Sequence, residues 1–237
     1  MPTSPDLRTA GAPLREARAA VVLLHGRGAT AESILALSAE LGDGLAFLAP
    51  QAPTVGGMPQ WYPHSFLAPL PANQPWLDRA LAAVGAAVTH ARAQGVPRER
   101  IVVGGFSQGA CLALEAFARA GGRWGGAFAL SGGLIGTGPG PDGAPALRGA
   151  GGAFPDKAFA YDGSLGGTPV FLGCGEPDPH IPAARVRRSA EVLASLGAVV
   201  DVRLYPGLGH TVAPEELAAV RAMLGPIGAS PGDADGA

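Results

Sequence analysis

A chain of 237 residues suits one domain with a substantial core. Hydrophobic residues make up 47%, charged residues 15%, and the formal net charge is -2. That balance describes a globular interior under a modestly polar surface and excludes the basic footprint of a nucleic-acid or anionic-membrane binder. The two cysteines, Cys111 and Cys174, are too few for a disulfide framework or a metal site of the usual ligand count. Both read as small buried hydrophobes. The N-terminal stretch MPTSPDLRTAGAPLREARA lacks the apolar centre of a secretory signal, and no run approaches the roughly 20 apolar residues that span a bilayer. The expectation is a soluble, cytoplasmic protein.

Residues 6–18 are polar around Gly11-Ala12-Pro13 and predict a short, weakly determined hairpin. Ala19–Leu24 (AAVVLL) is the continuous apolar run of a strand buried on both faces. It enters the glycine-rich loop His25-Gly26-Arg27-Gly28-Ala29-Thr30. A helix is predicted from about Ala31 to Leu41, with Ile34, Leu37 and Leu41 on one stripe, and a second buried strand over Leu45–Ala49. Residues 53–75 are too long for an ordinary connection and carry Trp61, Tyr62 and Phe66, which suit either an acyl-pocket wall or a cover for the core. Leu77, Leu81, Val84 and Val88 then recur at helical spacing within Trp76 to about Gln94.

The central stretch is Ile101–Leu114, IVVGGFSQGACLAL. A β-branched run leads into Gly105-x-Ser107-x-Gly109, and an apolar helical pattern follows. This is the strand–turn–helix context of a nucleophile elbow, in which small residues two before and two after the serine let neighbouring segments close in on a strained turn. With glycine this abundant the bare pattern is weak, and its weight comes from the flanking elements and from partners downstream. Gly126–Leu130 is another strand. Residues 136–167 are dense in Gly and Pro and predict a flexible surface insertion. Strand Pro169–Gly173, helix Pro182–Leu196, edge-like strand Val199–Tyr205 and helix Pro214–Leu224 complete the pattern, and residues 226–237 predict a disordered tail. Strands alternating with helices imply a three-layer α/β domain over residues 1–225, its mostly parallel sheet covered on both faces.

Sites in such folds collect at the carboxyl ends of the strands. There the chain places His25-Gly26-Arg27, then Ser107, Asp178 and His210. Serine, aspartate, histidine is the chain order of an α/β-hydrolase triad. In that reading His210 takes the Ser107 proton and Asp178 holds the imidazole in the right tautomer. Glu176 and Asp162 are alternative acids. The backbone N–H groups of Arg27 and Gln108 are the candidate oxyanion donors, with His25 supporting their loop rather than acting as base.

LLHGRG (Leu23–Gly28), APQAP (Ala49–Pro53), WYP (Trp61–Pro63), GGFSQGA (Gly104–Ala110), the LSG around Ser131, Asp178-Pro179 with Ile181-Pro182, and Gly209-His210 together resemble the phospholipase/carboxylesterase family of α/β-hydrolases. That family includes acyl-protein thioesterases and small bacterial carboxylesterases. The resemblance implies the α/β-hydrolase fold, Ser107, Asp178 and His210 as the triad, Arg27 and Gln108 at the oxyanion, and no cofactor or metal. The insertion at 136–167 departs from it, and substrate specificity is what it carries least well. The predicted activity is hydrolysis of short- to medium-chain carboxylic esters or thioesters through an acyl-enzyme, with Trp61, Tyr62, Phe66 and His25 near the substrate. A lactone- or dienelactone-type hydrolase and a catalytically silent binding protein are the alternatives. The expected partner is a small ester or thioester, with no nucleic acid, and related folds leave room for a homodimer through the exposed sheet edge.

Overall fold

The computed structural model describes residues 6–136 and 161–228. In chain order these form β1 (Leu7–Gly11), β2 (Ala19–Leu24), α1 (Ala31–Leu35), α2 (Ser38–Leu41), β3 (Leu45–Pro50), the small hairpin β4 (Thr54–Val55) and β5 (Met58–Pro59), α3 (Trp76–Ala93), β6 (Ile101–Phe106), α4 (Gln108–Ala120), β7 (Gly126–Leu130), β8 (Pro169–Glu176), α5 (Ala183–Ser195), β9 (Val199–Pro206) and α6 (Pro214–Leu224). A seven-stranded sheet runs β1-β3-β2-β6-β7-β8-β9. All its pairs are parallel except β1 against β3.

The alternation of side chains along a strand divides the interior in two. Ala20, Val22 and Leu24 of β2 face one core, which also takes in α3, α4 and α5. Ala19, Val21 and Leu23 face the other, closed by α1, α2 and α6. The continuous apolar runs are therefore strands with no solvent face, as a parallel sheet covered by helices requires. No helix among the described residues is long and apolar enough to cross a membrane.

Four expectations change in detail. The segment 6–18 is not a self-contained hairpin: β1 pairs antiparallel with β3, about 40 residues away, a partner that no local pattern encodes. The helix predicted over 31–41 is two short helices, the chain tightening at Leu37, whose N–H donates to Ile34 O at 3.2 Å. Residues 226–228, assigned to the predicted tail, are tied to the fold: Ile227 packs on the second core and its carbonyl accepts from Arg18 Nη1 at 2.8 Å. Residues 229–237 lie outside the described residues, as do 137–160 of the predicted insertion.

The ends of that insertion are anchored by buried polar groups. The fully buried carboxylate of Glu115 accepts from Ile135 N–H at 3.1 Å and from Tyr161 OH at 2.8 Å, and buried Arg185 donates to Gly136 O at 2.6 Å. Leu165 is fully buried, and the N–H groups of Leu165 and Gly167 donate to Leu196 O and Gly197 O at 2.7 and 2.8 Å, so this exposed end of the predicted insertion is tied to the fold. At the far edge, β9 leaves Val199 and Val202 exposed, while Asp201 and Arg203 pair on the same strand.

Candidate functional site

Ser107 sits between β6 and α4 with φ 56° and ψ -120°, in the left-handed region that disfavours side chains. Such a conformation costs about 1–3 kcal/mol and persists only where the surroundings hold it. Here its N–H donates to Leu130 O at 2.9 Å, and its carbonyl accepts from Cys111 N–H at 3.0 Å. Gly105 and Gly109 make the turn sterically feasible. A Cβ on Gly105 would lie 2.9 Å from Gly109 C, and one on Gly109 would lie 2.6 Å from His25 O, with Leu24 O closer still in both cases. The pressing neighbour is the end of β2, the strand that leads into the Arg27 loop.

His210 Nε2 is 2.9 Å from Ser107 Oγ, and His210 Nδ1 is 2.7 Å from Asp178 Oδ2. The serine comes from the β6 turn, the acid from the loop after β8 and the histidine from the loop after β9. The imidazole ring lies between Phe106, 4.9 Å away between ring centres, and His180, 4.8 Å away and edge-on. The Asp178 side chain is fully buried. Burial pushes its carboxyl up, but the hydrogen bond to His210 and the N–H groups of His180 and Ile181, at 2.7 and 3.0 Å, hold it below the usual range overall. The stability this lends is present above the ordinary carboxylate pKa and is lost as pH falls through the lowered value. Of the other acids, Glu176 pairs with Arg187 at 3.3 Å on the surface and Asp162 is exposed.

Arg27 and Gln108 have a second employment. The Arg27 guanidinium donates to Gln60 Oε1 and to the carbonyls of Tyr62, Pro63 and His64, the last three at 3.1, 2.9 and 2.8 Å. The Gln108 amide accepts from Trp61 N–H at 2.9 Å and donates to Tyr62 O at 2.8 Å. Both side chains therefore fix the 60–64 loop, while the Gln108 backbone opens α4, where first-turn N–H groups have no intrahelical acceptor. A cavity of about 410 Å³ opens above Ser107, with Tyr62, Phe66, Phe106, Cys111 and Ile181 as its apolar lining and His180 and His210 beside them.

Tyr62 and Phe66 thus line the cavity and also close the core. Trp61 and His25, expected near the substrate, lie behind it. His25 is fully buried, donates from Nδ1 to Gly26 O at 2.8 Å and accepts the Ala52 N–H at Nε2, 3.0 Å away. Burial holds its pKa down, and it serves as a neutral strut for the loop. Trp61 Nε1 donates to His25 O at 2.8 Å.

Residues 9–142 match the family model described as Phospholipase/Carboxylesterase, more than half of the chain. The chain belongs to the phospholipase/carboxylesterase family. It is 41% identical to a phospholipase/carboxylesterase from Dyadobacter fermentans whose crystal structure superposes with a TM-score of 0.78, covering 93% of this chain and 96% of that one. Acyl-protein thioesterase 1 of Gibberella zeae is 38% identical over 130 residues, 55% of this chain and 49% of that protein, so the chain spans about half the length of that relative. Acyl-protein thioesterase 1 of Candida albicans is 27% identical over 221 residues, covering 86% of this chain and 90% of that protein.

Around this site the structure adds groups that the sequence pattern did not single out. Cys174 Sγ lies 3.7 Å from Asp178 Oδ2, a weak donor to the buried acid. Burial raises both thiols to about 12, so neither Cys111 nor Cys174 is a nucleophile near neutrality. Glu216 of α6 is fully buried behind β8, with Oε2 accepting Ala213 N–H at 2.8 Å and Oε1 without a partner among the described residues. A Glu in the first helical turn after Pro214 suits a helix start, but nothing in the sequence marks its burial.

Burial pushes the Glu216 carboxyl from an ordinary 4.5 up to about 7, against the Ala213 N–H bond and with the charge of Glu215 adding to the rise. A raised carboxyl contributes its stability below the unfolded value and loses it as pH rises through the folded one. Wild-type melting temperature should therefore decline between about pH 4.5 and pH 7 by an increment that Glu216→Gln lacks. Thermal melts of both proteins across that window check this, and parallel curves would show that the carboxyl titrates normally.

Proposed function

We propose that the protein is a serine hydrolase that cleaves carboxylic esters or thioesters of short- to medium-chain acyl groups through an acyl-enzyme. The observation that carries this reading is the continuous line Asp178–His210–Ser107 at the floor of a mainly apolar cavity. Ser107 Oγ attacks the acyl carbon as its proton passes to His210 Nε2. The imidazolium that forms is stabilised by buried Asp178. The tetrahedral oxyanion is held by the backbone N–H groups of Arg27 and Gln108, fixed donors that need no rearrangement as charge develops. The His210 proton then goes to the departing alkoxide or thiolate as the C–O or C–S bond breaks. Water, deprotonated by His210, releases the acid and restores the Ser107 hydroxyl.

Tyr62, Phe66, Cys111 and Ile181 supply an apolar wall of limited volume, which supports a neutral acyl group of modest length. A chain-length series of 4-nitrophenyl esters on wild type and Ser107→Ala tests the reading. Turnover should peak at short to medium chains and fall to the uncatalysed background in Ser107→Ala, with a fluorophosphonate labelling only the wild type. A rate that climbs steadily into long-chain lipid esters sinks the acyl-length assignment. Equal hydrolysis by both proteins, or no labelling of Ser107, sinks the mechanism.

A further inference from the structure

A second cavity of about 380 Å³ lies between α3 and α4, and it shares no lining residue with the one above Ser107. Its floor is Leu81, Val84, Val88, Ala116 and Trp124, and Arg92, Arg98 and Arg119 stand along it. The volume falls within the range of small-ligand sites, about 300–1,000 Å³. From the start of α4 at Gln108 to Ala116 and Ala120 the distance is about 12–18 Å along the helix axis, so the trough is remote from the serine.

The charged residues that line the trough are all arginines. Arg119 pairs with Glu115 at 2.9 Å, and Arg98 donates to Ala120 O and Gly121 O with its guanidinium 4.4 Å from the Trp124 ring centre. The Arg92 side chain makes no hydrogen bond or ion pair among the described residues, and its charge, after burial, helps to hold the Arg98 pKa down while Glu99 acts the other way. Two guanidiniums therefore stand along an apolar trough that no acidic residue among the described residues lines. Cations in the last turns of α3 and α4 also complement the helix dipoles, which explains the placement of Arg92 and Arg119 but not the trough.

Gly85 is a separate observation. It lines the trough in the middle of the 18-residue α3, among alanines at 82, 83, 86 and 87. Glycine weakens a helix interior relative to alanine, and it is usually explained there by a close packing partner. A Cβ on Gly85 would meet nothing within 4 Å. What the missing side chain does is leave the trough open.

We propose that the α3–α4 trough binds an aliphatic carboxylate, its chain on Val84, Val88 and Trp124 and its head group between Arg92 and Arg98. The site stands on its own geometry and does not depend on the hydrolase reading. The test is a titration of the full chain with dodecanoate below its micelle concentration, followed by NMR shifts of the Gly85 amide and the Trp124 indole, which lie in the trough and not at Ser107. Saturable shifts there are expected. Affinity should fall about tenfold in Arg92→Gln, since a charge-assisted hydrogen bond to the head group is lost. It should fall similarly for dodecanol on the wild type. Gly85→Phe, which fills the trough, should abolish the shifts, and exposed Arg92→Gln keeps the test decisive if that variant does not fold. Shifts confined to residues around Ser107, no saturable shift at all, or equal affinity in wild type and Arg92→Gln would each overturn the proposal, the last leaving Arg92 to the helix dipole alone.

Discussion

Replacing Asp178 with Asn should lower kcat/KM by about 10⁴-fold while leaving the fold in place. The size follows from which atoms the carboxylate already engages. Oδ1 accepts two backbone N–H groups, those of His180 and Ile181, and Oδ2 accepts from His210 Nδ1 at 2.7 Å. In an asparagine the single oxygen is claimed by the two N–H groups, so the NH₂ turns toward His210. Facing a donor, Nδ1 must become the acceptor, and the proton moves to Nε2. Nε2 is the atom 2.9 Å from Ser107 Oγ, and once protonated it cannot take the serine proton. Steady-state kinetics beside a thermal melt make the check. A loss of only tenfold in a folded variant would mean that another group orients the imidazole.

The second large effect is at Gly109. Alanine there places a methyl carbon 2.6 Å from His25 O and nearer still to Leu24 O, and both obstacles are backbone, which no rotamer change can move aside. Relief requires β2 and α4 to separate. Overpacking of this kind costs about 1–3 kcal/mol and occasionally more. The two segments forced apart carry the Arg27 loop and Gln108, so the proposed oxyanion donors would no longer converge. Losing one such donor lowers turnover on the order of 10²–10³-fold. Gly109→Ala should therefore lose both melting temperature and kcat, with kcat the greater casualty in whatever fraction remains folded. Wild-type kinetics and stability would contradict the close approach of β2 to the elbow.

Much of this arrangement was legible in the chain. The runs AAVVLL and IVV carry no polar side, which only a strand covered on both faces tolerates, and helical spacing located α3, α5 and α6 almost to the residue. What failed was non-local or cooperative. The strand β1 has no apolar signature because it lies at the sheet edge with none of its residues buried, and its pairing with β3 is non-local. His25, read from its place after the first strand as a support for the Arg27 loop and also set near the substrate, and Trp61, read as either pocket wall or core cover, have contacts that put them one layer behind the cavity.

The sequence by itself determined the α/β alternation, the glycine-flanked serine between a strand and a helix, and a serine, an aspartate and a histidine that each follow a strand. Local spacing encodes these features directly. The tertiary structure decided that Asp178, rather than Glu176 or Asp162, reaches His210. It also decided that Arg27 and Gln108 lock the 60–64 loop and that Gly85 opens a trough far from the serine. Those hydrogen bonds join residues 32 to 46 positions apart, and only packing of the whole sheet brings such segments together.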